Sequence, residues 1–367
     1  MYEALDIVSR ELVGIIPATT LNATANGVAV GQSLRIPVTP ANSAHDVTVG
    51  SSAPSANFQT IGNVEVKISK QRESSISWTG EEQLGLGGMS SPIMRDQYAQ
   101  MMRTLVNEME LDCANEIARS SLVAGNKVGT AGTTPFAENL DALTDARRIL
   151  ANNGSPLTDL QLGLNTMAGM KMRNLTQLQK VNEAGAPSLL RQGVIGDLFG
   201  FAVRESAGLQ NVAPIVEKAY LCNGVSAIGS KSITVDTGVG AIPAGTMITI
   251  GSDTNQYVVA EDVASGSTVI KITEGLVKTT IDNDEIKFVN ATPNVAFSRG
   301  SVILATRLPA VPMGGDLALD RTVITDPVSG ISFEVALWGG ARQNTLTIAG
   351  CWGVKNIKPE HSVAILG

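Results

Sequence analysis

Apolar and polar residues alternate with period two through VEVKISK, and the alternation resumes at Ile76 and Trp78. Residues 64–78 therefore predict an extended strand with one apolar face. SLRIPVTP (33–40) predicts its partner. The stretch between them, ANSAHDVTVGSSAPSANFQ (41–59), is small, polar and long for a loop inside a compact domain. Fully extended, the second strand would reach roughly 50 Å. A two-stranded ribbon alone is marginal in water, so this one needs a surface, either its own core or another molecule.

Elsewhere the period changes to that of a helix. Leu5, Val8, Leu12 and Ile15 predict a short amphipathic arm over 3–16, stopped by Pro17. Ser91 and Pro92 suit a helix start, and Tyr98, Met101, Met102, Leu105, Met109, Ala114, Ile117 and Leu122 continue a 3.6-type stripe to Gly125. That helix would run about 30 residues, or ~45–50 Å, far beyond the usual length. FAENLDALTDARRILANNG (136–154) predicts a second helix with Leu140, Leu143, Ile149 and Leu150 inward. TDLQLGLN predicts a strand, and TMAGMKMRNLTQLQK a further helix. The order is α+β rather than a βαβ alternation.

Over 223–291 the texture shifts to short strands, SITVD, TMITIG, QYVVA, TVIKIT and EIKFV, separated by Gly, Asp, Asn and Ser clusters. This predicts a small all-β unit placed inside a surrounding domain. Residues 295–306 read as mixed, helix-capable sequence. The end, from 330 on, reads as strands, with Gly339 and Gly340 supplying a turn.

At 367 residues, 43% of them hydrophobic, the chain has material for a real core. Its formal net charge of −7 lacks the basic footprint of a tight nucleic-acid binder, though it does not exclude enclosing one. Cys113, Cys222 and Cys351 are scattered and form no C-x-x-C pair, which points to a reducing compartment and to buried small hydrophobes. The first residues lack a signal-peptide pattern, and no run reaches the ~18 apolar residues of a membrane span.

No catalytic constellation emerges, and no catalytic, cofactor-binding or metal-ligating residue is assigned. The histidines, His45 and His361, have no ligand cluster at metal spacing. GLGGMSSP (85–92) imitates part of a dinucleotide fingerprint but lacks its third glycine. GVSAIGSKS (224–232) imitates a phosphate loop, with Ser230 displacing Lys231 from the required junction. Asp282, Asp284 and Glu285 form an acidic turn without the pattern of a calcium hand. Glu81, Glu82, Lys67, Lys70 and Arg72 are expected to be exposed charges that could pair across a subunit interface. A nucleotide-dependent enzyme would rest on those broken glycine runs. A β-rich adhesin or tail component is disfavoured by the 4% aromatic content and the missing signal peptide.

The order of parts resembles the major capsid protein of tailed bacteriophages, with its Hong Kong 97-like fold, and within it the podovirus branch carrying an inserted β-barrel. QGVIGDLFGFAVRES (192–206) resembles the stretch leading into the axial domain, with Gly196 and Gly200 at its turn and Phe201 as its buried aromatic. LDALTDARRILANNGSP resembles the peripheral-domain helix. GCWGVKNIKPEHSVAIL resembles the closing strand, with Gly353, Lys358, Pro359 and Glu360 on its motif. AGTMITIGSDTNQYVVAEDV resembles the inserted barrel. The resemblance implies an N-terminal arm (1–31), an extended loop (32–80), and a peripheral domain with a long spine helix (81–190). It also implies an axial domain (191–222 and 292–330), an inserted β-barrel (223–291) and C-terminal strands returning to the peripheral domain (331–367). It implies a virion subunit, not an enzyme, needing no cofactor, made in the host cytoplasm and assembling with itself into pentamers and hexamers around double-stranded DNA. Scaffolding, portal and decoration proteins are its further candidate partners; a membrane is not. In that family the extended loop lies across a neighbouring subunit.

Overall fold

A single helix of 34 residues, Ser90–Val123, organises the chain. The computed structural model describes residues 14–39, 44, 46, 61–86, 90–179, 196–209, 214, 216–325 and 330–367. Met101, Met102, Leu105, Val106, Met109 and Cys113 lie on one side of the helix and are almost fully buried. Ala114, Ile117 and Ala118 extend that stripe by four-residue steps, as a helix face requires. The helix ends where the sequence places the stop. Gly125 has φ +79°, its N–H bonds the Leu122 carbonyl, and the Asn126 N–H bonds the Ser121 carbonyl. These are the two closing bonds of a Schellman cap. A Cβ at Gly125 would meet nothing within 4 Å, so Gly125→Ala should cost only the left-handed backbone, about 1 kcal/mol. A denaturant titration would check this.

The helix packs on two six-stranded sheets. The first runs Thr20–Val28, Val302–Pro309, Gln343–Asn356, Ser332–Gly340, Ala318–Thr325, with Lys70–Thr79 also paired to Gln343–Asn356. The second runs Lys127–Val128, Ser362–Ile365, Asn294–Ser298, Leu160–Leu164, Phe201–Glu205, Asp197–Leu198. Phe297 of the second sheet and Leu304, Phe333, Val335, Ile348 and Trp352 of the first meet the helix in one core. On the second sheet a separate core gathers Leu143, Ala146 and Leu150 from helix Asp141–Asn152 over Leu160, Leu162 and Phe201.

Three expectations are corrected here. Residues 295–306 are mostly strand: Asn294–Ser298 and Val302–Pro309, every residue of which is buried, flank a single 3-10 turn at Arg299–Ser301. A strand covered on both faces has no alternation, and so hides its period. Helix 136–154 begins only at Asp141. Phe136 sits at φ 61°, with its ring buried, and the Asn139 side chain accepts the Asp141 N–H at 3.2 Å. The turn in the closing strands lies at Ala341 and Arg342, the latter at φ 60°, while Gly339 and Gly340 pair with Asn344 and Gln343 inside the hairpin.

Residues 216–289 build a β-rich unit from two three-stranded sheets. Leu221–Cys222, Ser232–Asp236 and Val269–Lys271 form one; Met247–Ile250, Tyr257–Val258 and Ile286–Phe288 form the other. Tyr220, Ile233, Ile248, Tyr257, Ile270 and Ile286 share one core between them. Met247 and Val258 join it to Leu122 at the end of the long helix and to Ala364 and Leu366.

Candidate functional site

The chemistry-bearing residues are dispersed or already engaged. Among the described residues no three His, Cys, Asp or Glu side chains lie close enough to hold a metal ion. The three cysteines are buried and unbonded. Burial, with help from nearby carboxylates, pushes the Cys222 and Cys351 thiols up to about 11 and Cys113 higher still, so none is a nucleophile at neutral pH. In the phosphate-loop mimic, the Gly229 N–H is spent on the Leu276 carbonyl, and no helix follows. The acidic turn caps itself: Asp282 accepts from the Gly224 N–H and Asp284 from the Ile281 N–H, both at 2.8 Å. His361 sits in the short turn Pro359–His361, its basicity pulled down by burial and by Lys358. His45 lies outside the described residues, as do 87–89 of the glycine-rich joint.

The feature with a distinctive shape is the hairpin Ser33–Val38/Gly62–Lys67. It pairs only with itself among the named sheets, from Ser33 opposite Lys67 to Val38 opposite Gly62. Its exposure alternates, with Leu34, Ile36, Val38, Val64 and Val66 on the covered side and Arg35, Pro37 and Glu65 outward. Arg35 Nε donates to Glu65 Oε1 at 3.1 Å across the strands. The hairpin is rooted on the sheet, where Val66 and Ile68 cover Ala305 and Cys351. The Ser69 N–H donates to the Trp352 carbonyl, and the Ile68 N–H to that of Gln32. Gly353 makes the close approach possible, because a Cβ there would stand 1.9 Å from the Lys67 carbonyl oxygen.

Beyond the root the chain bends, so the long strand expected over 64–78 is two strands. Lys70–Thr79 runs antiparallel to Gln343–Asn356 of the same chain, Lys70 opposite Trp352 and Thr79 opposite Gln343. Its ladder is therefore satisfied at home, and Ile76 packs against the chain's own core. Lys70 and Arg72 are also not spare interface charges. Lys70 Nζ donates to Asp112 at 2.8 Å and Glu108 at 3.2 Å, and Arg72 Nε to Glu108 at 3.1 Å. Trp352 Nε1 donates to the other Asp112 oxygen at 2.7 Å. Glu82 is spent locally too. It accepts from the Thr79 N–H and hydroxyl while Thr79 Oγ1 accepts the Glu82 N–H, a capping box on helix Gly80–Leu86. Glu81 and Lys67 remain exposed.

This clamp ties the strand below the hairpin to the long helix. Burial alone would lower the Lys70 ammonium's pKa, but hydrogen bonds to Asp112 and Glu108 and their charges more than offset it, holding Lys70 above the ordinary lysine value. A raised folded-state pKa means that the contribution is complete below the unfolded lysine value, ~10.4. It fades only as pH rises through the folded value. Lys70→Met should cost about 1–2 kcal/mol at neutral pH. The deficit should shrink above pH ~10.5, which urea titrations at several pH values would measure. Sequence reading missed Glu108, Asp112 and Trp352 as partners. The i,i+4 spacing of the two carboxylates was visible, but not the strand they face.

At the second sheet's edge, Asp197–Leu198 and Phe201–Glu205 form a tight hairpin. Gly196 and Gly200 have positive φ and Phe201 is fully buried. The Arg147 guanidinium donates to the Phe199 carbonyl at its tip. Residues 192–195 of the sequence stretch singled out here lie outside the described residues, as do 1–13 of the arm and most of 41–59.

No family model and no curated protein matches the chain. Solved structures do. A chain from a structure of Mycobacterium phage Che8 superposes with TM-score 0.51 at 14% identity, covering 91% of this chain and 84% of the other. A chain from the capsid structure of the cyanophage P-SCSP1u superposes with TM-score 0.52 at 12% identity, covering 95% and 86%. Among the described residues no helix is long and apolar enough to cross a membrane. This chain has the fold of a phage capsid-structure chain.

Proposed function

We propose that the chain is a major capsid subunit of a tailed bacteriophage with the Hong Kong 97-like architecture. Many copies close an icosahedral shell of pentamers and hexamers around double-stranded DNA after assembly in the host cytoplasm. The observation that carries this reading is the shared fold over nearly the whole chain, and the hairpin rooted on this chain's sheet fits it. The root and clamp fix the direction of the hairpin, and its outer part lies over a neighbouring subunit. Interfaces of modest size then add up through closed symmetry. The segments around Phe201–Glu205 act as the axial domain, the long helix as the spine, and the β-rich unit 223–291 as an inserted domain. Scaffolding, portal and decoration proteins are the further partners of such a subunit. The acidic balance suits a wall that encloses DNA without gripping it.

Expression of the chain alone, viewed by negative-stain microscopy, tests the proposal. Closed particles or ring-shaped capsomers are expected. A monomer at every concentration, with the hairpin protected from proteases, would overturn it.

A further inference from the structure

The face of the first sheet that turns away from the long helix carries a pocket with unspent charge. Phe333, Val335 and Ile348 belong to the helix-facing core, so Glu334 and Ala349, which alternate with them, face the other way. The register sets Glu334 opposite Ala349, and Ala349 opposite Glu73 on its far side. Two carboxylates thus flank one methyl group in a single cross-strand row. Their Cα atoms are roughly 10 Å apart, two strand spacings. With Arg321, Trp338 and Asp316 they enclose a cavity of about 440 Å³ over Ala349. Glu334 is only 8% exposed, yet among the described residues no hydrogen bond reaches its carboxylate. Its ion pair with Arg321 Nη1 is 3.6 Å long, and Arg321 donates Nη2 to Asp316 instead. Burial pushes the Glu334 acid above its ordinary value; Arg321 pulls it down, and Asp316 pushes it up again. Arg72, at the rim, gives its Nε to Glu108 on the long helix. Trp338 spends Nε1 on Thr347 Oγ1, so its ring is what it offers the cavity. Arg321 and Asp316 cancel each other, which leaves Glu334 and the exposed Glu73 uncompensated.

We infer that this row is a binding site for a short aliphatic diammonium ion. One ammonium sits on Glu334 and the other on Glu73, with the methylene chain over Ala349 and against the Trp338 ring. The inference does not depend on the capsid reading. The groups present choose this ligand. A buried carboxylate without a hydrogen bond is costly, and an ammonium brings both the charge and the N–H donors that Glu334 lacks. A metal ion needs more oxygen ligands, and among the described residues no three acidic or other ligating side chains lie close enough to supply them. An anion would meet two carboxylates. A single ammonium would leave one of the two unmatched. The alkyl chain matches the apolar floor and the aromatic wall, which also attracts cations.

Calorimetric titration of the purified full chain with putrescine, at mildly alkaline pH and low salt, tests the site. Putrescine should bind at a single site, roughly tenfold more tightly than butylamine, which carries one ammonium and reproduces a lysine side chain. Glu334→Gln keeps the shape of the side chain and removes its charge, and should weaken putrescine roughly tenfold. Glu73→Gln lies at an exposed position that folding does not need, and should reduce putrescine to the affinity of butylamine. Equal binding of putrescine and butylamine would overturn the diammonium assignment. So would magnesium chloride that displaces putrescine at equal concentration, because it would reveal a cluster open to any dication. No binding at millimolar putrescine, or unchanged affinity in either variant, would overturn the site itself.

Discussion

Gly353→Ala is expected to be among the most damaging single-methyl additions in this chain. The new Cβ would lie 1.9 Å from the Lys67 carbonyl oxygen, 2.8 Å from its carbon and 3.1 Å from Ile68 Cα. All three are backbone atoms, so no rotamer change relieves the overlap. Either the central strand or the hairpin root must move, breaking the Ser69-to-Trp352 bond and uncovering Ala305 and Cys351. Overpacking of this kind costs about 3 kcal/mol or more. The urea midpoint should drop accordingly, and proteolysis should begin near residues 62–69. Gly350→Ala, three residues earlier in the same strand, provides the control. Its Cβ meets only Met109 Cε at 3.6 Å and Phe333 Cδ1 at 3.9 Å, and stability should change by less than about 0.5 kcal/mol. Equal loss at both positions would show that the cost belongs to the strand and not to the hairpin root.

Cutting the hairpin short should separate folding from assembly. Ile36 faces Val64 across the ribbon. Replacing residues 37–63 by Asn-Gly would close the ladder with a two-residue turn of the preferred twist. Val66 and Ile68 would keep their seats on Ala305 and Cys351, and the Lys70 clamp would be untouched. The shortened chain should melt within a few degrees of the full one, because it loses little buried apolar surface. It should form no closed particles. Full shells from the shortened chain would show that the outer hairpin is dispensable for self-association. A collapse in melting temperature would show that it is a folding element.

Much of this was legible before any coordinates. The long helix announced itself through a stripe sustained from Met101 to Leu122 and through Gly125, since a helical stop needs a left-handed residue that glycine supplies at least cost. The short strands of residues 223–291 were visible because turn clusters separate them and because strands such as Ser232–Asp236 and Val269–Lys271 set one face on a small core and the other in water. The strand pair Asn294–Ser298 and Val302–Pro309 was not legible, because burial on both faces erases the pattern that marks a strand. In the candidate site, the hairpin strands could be read from their alternation, but the division of labour at Ile68 and Ser69 could not. Residues 62–67 pair with the outgoing strand, and residues 70–79 with a strand nearly three hundred positions later.

What the sequence settled by itself was local: the period of each half-buried segment, and the caps and stops. Those depend on neighbours a few residues apart, whose spacing is fixed by backbone geometry. The tertiary structure decided which surfaces are spent. Lys70, Arg72, Glu108 and Asp112 are all charges that a linear reading leaves free, and chain folding brings them into one network beside Trp352. Val225 lies in the phosphate-loop mimic and Ile281 beside the acidic turn, and only folding shows that both are left in the open. At such positions burial is set by packing between distant segments, and the local pattern there does not carry it.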